Sequence, residues 1–137
     1  MPKSFSPHEA LVHLMVTVAM ADRTMTEKEV GEIGLVVGTL PVFADFDRDR
    51  LPDLVDATAE ILEATDGLDR LLRKAKEALP TKLYETAYAL AVEVAAVDMV
   101  AGQEELRFLE MMRDAFDLDP LVTAAIERSA RVRYRKL

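Results

Sequence analysis

The sequence has no cysteine and only 5 glycines among its 137 residues. The lack of cysteine excludes disulfide bonds and thiolate metal sites, and it gives no sign of an oxidising compartment. No stretch alternates apolar and polar residues long enough to predict a half-buried strand, and polar residues interrupt every apolar run before it reaches the length of a membrane span. Because the N-terminal sequence also lacks the apolar core of a signal peptide, we expect a cytoplasmic protein.

Apolar residues make up 50% of the chain, which is enough for one hydrophobic core, and the length predicts a single domain over residues 1–137. The 25 acidic residues outnumber the 17 basic ones and give a net charge of −8. An acidic surface repels phosphates, so we do not expect nucleic acid as a partner. This charge is compatible with cations and with basic partners. A protein partner and self-association stay open as alternatives.

Helical spacing and helix-capping residues dominate the sequence and predict an all-α domain of seven helices. Two residue pairs are typical of a helix start, namely Ser6 with Pro7 and Asp119 with Pro120. Thr26 and Glu29 predict a capping box at the start of the second helix. The predicted helices cover residues 8–21, a stretch from Thr26 to near Pro41, and residues 52–65, 68–79, 81–99, 104–116 and 121–135.

One short pattern occurs twice, in "AMADRTMTEKEV" at residues 19–30 and in "AVDMVAGQEEL" at residues 96–106. In each copy an aspartate closes an apolar helix, and a glutamate follows seven residues later. The shared register pairs Asp22 with Asp98, Thr26 with Gly102, Glu29 with Glu105 and Val30 with Leu106. The simplest interpretation is an internal duplication of a helix pair, with the two apolar helices crossing near a pseudo-twofold axis.

Both aspartates are expected at the inner edge of a helix C-terminus, where the helix dipole disfavours a negative charge by about 0.3–1 kcal/mol. Each therefore needs a partner, and two kinds remain open. The free N–H groups of the following helix can bind the carboxylate while the glutamate closes the helix cap. Alternatively, the carboxylates bind a divalent cation such as Ca²⁺ or Mg²⁺. No other cofactor is predicted, and the candidate ligands are Asp22, Glu29, Asp98 and Glu105.

At these residues the sequence resembles the TerB-like family of tellurite-resistance proteins. "AMADRTMTEKE" is similar to the first copy of the family motif and "AAVDMVAGQEE" to the second, with Arg23 and Met99 where the family usually has Gly. The resemblance covers roughly residues 8–117. It implies an all-helical, internally duplicated domain with a non-enzymatic role in tellurite resistance or stress response. It also implies that the two Asp–Glu pairs hold a metal.

Two further segments carry charge patterns. "DFDRDRLPDLVD", residues 45–56, has part of the spacing of an EF-hand calcium loop, but Arg50 stands where that loop needs glycine. An acidic loop that caps a helix is the favoured interpretation. The tail "ERSARVRYRKL" is basic, which suits a helix C-terminus. Contact of this tail with an acidic partner or a membrane surface is the less favoured alternative.

No residue set combines a nucleophile with an adjacent base, so the sequence predicts a protein that is not an enzyme. The leading hypothesis is a TerB-like stress protein that acts as a cation-binding or scaffolding module. The alternative is a protein-interaction domain whose repeated carboxylates are purely structural. A metal-dependent or hydrolytic enzyme is the least favoured of the three.

Overall fold

A computed structural model of the chain describes residues 4–21, 25–97 and 102–137. These ranges contain seven α-helices, three short 3-10 turns and no strand, which confirms the predicted all-α fold. The helices are α1 (Pro7–Met20), α2 (Glu27–Thr39), α3 (Leu51–Leu62), α4 (Gly67–Ala78), α5 (Tyr84–Ala96), α6 (Gln103–Ala115) and α7 (Pro120–Arg133). The 3-10 turns are Pro41–Phe43, Arg48–Arg50 and Thr81–Leu83.

Capping side chains fix the helix starts that the sequence indicated. At α1 the Glu9 N–H donates to Ser6 Oγ at 3.1 Å, and the Ser6 N–H donates to Glu9 Oε1 at 2.8 Å. At α7 the Leu121 N–H donates to Asp119 Oδ1 at 2.8 Å. These bonds satisfy N–H groups that the first helical turn leaves without a backbone partner.

Several predicted boundaries differ from the structure, among them the end of α7, which lies at Arg133 instead of residue 135. The loop predicted over residues 42–49 contains 3-10 turns, and the Asp49 N–H donates to Asp47 Oδ1 at 3.0 Å. The fifth helix was expected from residue 81, but Thr81–Leu83 is a 3-10 turn and the α-helix begins only at Tyr84. α3 ends three residues before the predicted residue 65, because its last turn tightens through bonds such as Ala64 N–H to Ile61 O.

α1 is the central helix of the fold. It contacts every helix from α2 to α6, and its residues from Ala10 to Ala19 are all buried. This explains why its sequence is apolar on nearly all sides instead of along one stripe. α5 is the second buried helix and contacts α1, α2, α6 and α7. None of the helices in the described ranges combines the length and the apolar character that crossing a membrane requires.

The pseudo-twofold arrangement stays a prediction, although some helix contacts repeat under the exchange that it implies. Exchanging α1 with α5 and α2 with α6 converts the α1–α2 contact into α5–α6 and the α1–α6 contact into α5–α2. The register that pairs Glu29 with Glu105 also aligns both ends of α2 with both ends of α6. It further pairs buried Ile33 with Leu109. These matches support an internal duplication, which stays a prediction.

Candidate functional site at the helix corners

The structure describes two of the four predicted metal ligands. Glu29 and Glu105 lie in α2 and α6, whereas Asp22 and Asp98 fall outside the described residues. Each glutamate is the third residue of its helix and is almost completely buried, with exposed fractions of 2% for Glu29 and 3% for Glu105. A helix N-terminus is a favourable place for a negative charge, because unpaired N–H groups point toward it.

The Glu29 carboxylate is held by Thr26. Its Oε1 accepts the Thr26 N–H at 2.9 Å and lies 3.1 Å from Thr26 Oγ1. In return, the Glu29 N–H donates to Thr26 Oγ1 at 3.2 Å. This is the capping box that the sequence predicted, with both halves formed. The carboxylate thus contributes directly to fixing the start of α2.

The Glu105 carboxylate occupies the same position at the start of α6. Its Oε1 accepts the Gly102 N–H at 3.3 Å. Since glycine has no side chain, only this returning half of the capping box can form. The start of α6 therefore carries one half of the capping box that is complete at the start of α2.

One cavity of about 520 Å³ lies between the end of α1 and the start of α6. Ala21, which precedes Asp22 in the sequence, lines this cavity together with Glu104, which precedes Glu105. The fold thus brings the end of the first apolar helix next to the start of the second amphipathic helix. The lining residues are Thr17, Met20, Ala21, Leu62, Leu68, Gln103, Glu104, Arg107 and Phe108.

The described part of the chain contains no group of three or more His, Asp or Glu side chains that could hold a metal ion. No protein-family model, no curated protein and no solved structure matches this chain. The TerB-like resemblance accordingly rests on the corner motifs alone.

A buried tyrosine network that spacing alone did not reveal connects α5, α6 and α7. The hydroxyl of the fully buried Tyr88 donates to Glu127 Oε2 at 2.5 Å and accepts from Arg113 Nη1 at 2.7 Å. Arg113 also lies 3.3 Å from the same Glu127 oxygen. Burial and the bond to Glu127 raise the pKa of Tyr88 to about 12, so the phenol stays neutral and acts as a donor.

A second network connects α5 to the end of α7. The two terminal guanidinium nitrogens of Arg133, Nη1 and Nη2, donate to the Glu93 carboxylate, and Tyr134 Oη donates to Glu93 Oε2 at 2.6 Å. The bonds from Arg133 and Tyr134 lower the pKa of Glu93 despite its partial burial. The sequence suggested only that a basic tail suits a helix end. Glu93 precedes its partner Arg133 by 40 residues, a separation beyond local spacing rules.

The hydrogen bond between the buried side chains of His13 and Thr58 is structural. His13 Nδ1 lies 2.7 Å from Thr58 Oγ1, a pairing that superficially resembles a base beside a nucleophile. However, Thr58 is fully buried and its hydroxyl lies 2.8 Å from the Leu54 carbonyl oxygen, so a substrate cannot reach it. Burial also lowers the pKa of His13 to about 4, which makes it a weak base at neutral pH. We interpret the pair as a link between α1 and α3.

Proposed function

We propose that this protein is a non-enzymatic protein-interaction module in which the repeated glutamates are structural helix caps. The observation that carries the proposal is the Glu29 cap, where one carboxylate oxygen already receives the Thr26 N–H at 2.9 Å. The Glu29 and Glu105 carboxylates each accept a backbone N–H at the start of a helix, and these two helices, α2 and α6, pack on the central pair α1 and α5.

The TerB-like resemblance supports a place for this module among cytoplasmic tellurite-resistance and stress proteins. In that setting a rigid helical domain serves as a scaffold for other proteins. The direct test is growth of a host strain with and without the chain over a series of tellurite concentrations. Protection would support the stress role. Equal sensitivity would count against tellurite and leave the interaction role to be tested separately.

A divalent cation at the corners is the second candidate function. It is favoured by the burial of Glu29 and Glu105 and by the cavity that Ala21 and Glu104 both line. A hard cation prefers oxygen ligands, and the corner segments carry carboxylates at matched positions. On this hypothesis Asp22 and Asp98 complete the ligand sets.

Thermal unfolding in Ca²⁺, Mg²⁺, Mn²⁺ or EDTA separates the two candidates. An ion present at a hundred times its dissociation constant should stabilise the folded chain by about 2.7 kcal/mol. Structural caps predict one midpoint in all four solutions, after correction for ionic strength. A midpoint that rises with only one of the ions would contradict the structural interpretation and support the cation site.

Substitution of the glutamates by glutamine identifies the location of any ion response. Glutamine can still accept the capping hydrogen bond, so Glu29→Gln and Glu105→Gln should fold with caps largely intact. Loss of an ion response in these variants would locate the cation at the corners. A response that persists would place the ion elsewhere. The matched control is Glu110→Gln, a charge change on the exposed side of α6.

A further inference from the structure

A groove of about 550 Å³ runs along α5 between α6 and α7. Each of the three helices contributes residues spaced along a single face, about two helical turns in length. These residues are Tyr88, Val92, Ala95 and Ala96 of α5, Leu106, Leu109 and Arg113 of α6, and Glu127, Ala130 and Arg131 of α7, with Tyr134 just beyond. Two turns correspond to about 10 Å, the length of one short helical segment.

The floor of the groove is apolar, and hydrogen bonds join its walls at one end. Val92, Ala95 and Ala130 are small buried residues that allow a close approach from outside. The Tyr88 hydroxyl, Arg113 and Glu127 connect the three helices at that end. Because these bonds fix the three helices relative to one another, the groove is a preformed surface and needs little reorganisation to receive a partner.

Leu106 is an exposed apolar residue at the rim of the groove. It is 55% exposed although it stands on an ordered helix beside the apolar floor. Val30, its counterpart in the repeat register, is 49% exposed but does not line the groove. The two positions thus provide similar exposed apolar side chains, only one of which belongs to this surface.

The charge around the groove is opposite in sign to that of the whole chain. Arg131 lines the groove and forms no ion pair within the described ranges. The other two charged residues of the lining, Arg113 and Glu127, bind each other, so Arg131 gives the lining a net positive charge in a protein of net charge −8. An acidic partner is attracted here and repelled from most of the remaining surface.

We propose that this groove binds an acidic amphipathic helix from another protein. Apolar side chains of that helix, spaced three and four residues apart, would cover Leu106, Leu109 and the alanine floor, while its Asp or Glu residues would face Arg131. This is the helix-in-groove mode of recognition. The inference rests on the proposed interaction function and names the class of partner for it.

The test is selection from a display library of short amphipathic helices with randomised apolar and charged positions. Wild-type chain should enrich peptides that have apolar residues at helical spacing and an excess of Asp and Glu. Leu106→Glu should weaken their binding about tenfold or more, because it replaces an apolar contact at the rim with a charge that repels the acidic residues of the peptide. The matched control, Val30→Glu, should leave binding unchanged.

Reversal of charge tests the acidic preference separately. Arg131→Glu should shift the selected peptides from acidic to basic residues, whereas Arg128→Glu, outside the groove lining, should change the selection little. The proposal is overturned if no peptide is enriched, if enriched peptides show no acidic excess, or if they bind Leu106→Glu as well as wild type. The interaction function survives if the peptides bind at another surface, for example one disrupted by Val30→Glu.

If the groove bound a second copy of the chain or an anionic membrane surface, the experiments would give different results. Dimerisation of the wild-type chain in sedimentation experiments, abolished by Leu106→Glu, would assign the groove to a second copy and overturn the proposal. Binding to phosphatidylserine vesicles but not to phosphatidylcholine vesicles, with the same sensitivity, would assign it to an anionic membrane surface. Circular dichroism of each variant confirms that the fold is retained in these comparisons.

Discussion

At the scale of single residues, position within a helix decides what a buried charge costs. Glu29 and Glu105 are buried at helix N-termini, where backbone N–H groups stabilise a carboxylate. The same side chain in the middle of α1 would have no such donors. Burial of these glutamates is therefore compatible with a stable fold, whichever additional role the corners have.

Replacement of Glu29 by alanine should lower the free energy of unfolding by about 1–2 kcal/mol, since the partly buried Thr26 N–H then loses its acceptor. Glu29→Gln should lower it much less, because the amide oxygen can accept the same bond. Urea denaturation of both variants checks this. Equal losses in the two variants would show that the charge, and not the cap, stabilises the corner.

Acid should destabilise the protein through His13. Its folded pKa of about 4 lies below the unfolded value of 6.5, so the unfolded chain binds more protons between these values. The associated stability is complete above about pH 6.5 and is lost as the pH falls toward 4, amounting to about 2–3 kcal/mol. In His13→Asn this part of the decrease should disappear. The measurement is the denaturation midpoint from pH 7 to pH 4, compared with wild type.

At the scale of elements, the sharp connection between α3 and α4 depends on a single glycine. A Cβ at Gly67 would lie 2.4 Å from the Ile61 carbonyl oxygen and 2.9 Å from Leu62 Cα. Both contacts are with backbone, which cannot move away without disturbing the end of α3. Gly31, within α2, would meet nothing within 4 Å.

These two glycines therefore predict opposite results for the same substitution. Gly67→Ala should destabilise the protein by about 1–3 kcal/mol through overpacking. Gly31→Ala should stabilise it by about 0.5–1 kcal/mol, because alanine restricts the unfolded chain and favours a helix. Thermal unfolding of both variants measures these two changes in stability. A neutral Gly67→Ala would mean that the α3–α4 connection relaxes readily.

Loss of the Tyr88 hydroxyl should loosen the three helices that form the groove. Tyr88→Phe removes a buried donor to Glu127 and an acceptor for Arg113, which should cost about 1–3 kcal/mol. Tyr84→Phe is the matched control, because its hydroxyl is exposed and makes only a 3.4 Å bond to the Lys76 carbonyl oxygen. Hydrogen exchange should also increase in α7 for Tyr88→Phe alone.

Elements were predictable from the sequence where the determinants are local. Ser6, Thr26 and Asp119 mark helix starts because their side chains cap N–H groups within three residues. The links between distant helices were not predictable in this way. His13 contacts Thr58, which lies 45 residues further along the chain, and Tyr88 contacts Glu127, which lies 39 residues further along. Only the packed fold shows these pairs. Of the predicted corner site, Glu29 is explained by its cap, while its cation role stays a prediction.

At the scale of the whole molecule, the net charge of −8 predicts a dependence of stability on salt. Mutual repulsion of the acidic residues opposes the compact state and is screened by ions. Raising NaCl from about 0.02 M to about 0.5 M should therefore stabilise the chain by about 1 kcal/mol or less. MgCl₂ at equal ionic strength should have the same effect if only screening operates. A larger effect of MgCl₂ would indicate specific binding.

The central position of α1 also has a consequence for synthesis. Of the seven described helices α1 is synthesised first, and it is apolar on nearly all sides, yet the helices that it contacts extend through α6, which ends at Ala115. Until α6 has been synthesised, α1 therefore lacks part of the surface that encloses it in the folded domain. Fragments that end before α6 should aggregate when expressed alone, because they leave apolar side chains of α1 uncovered.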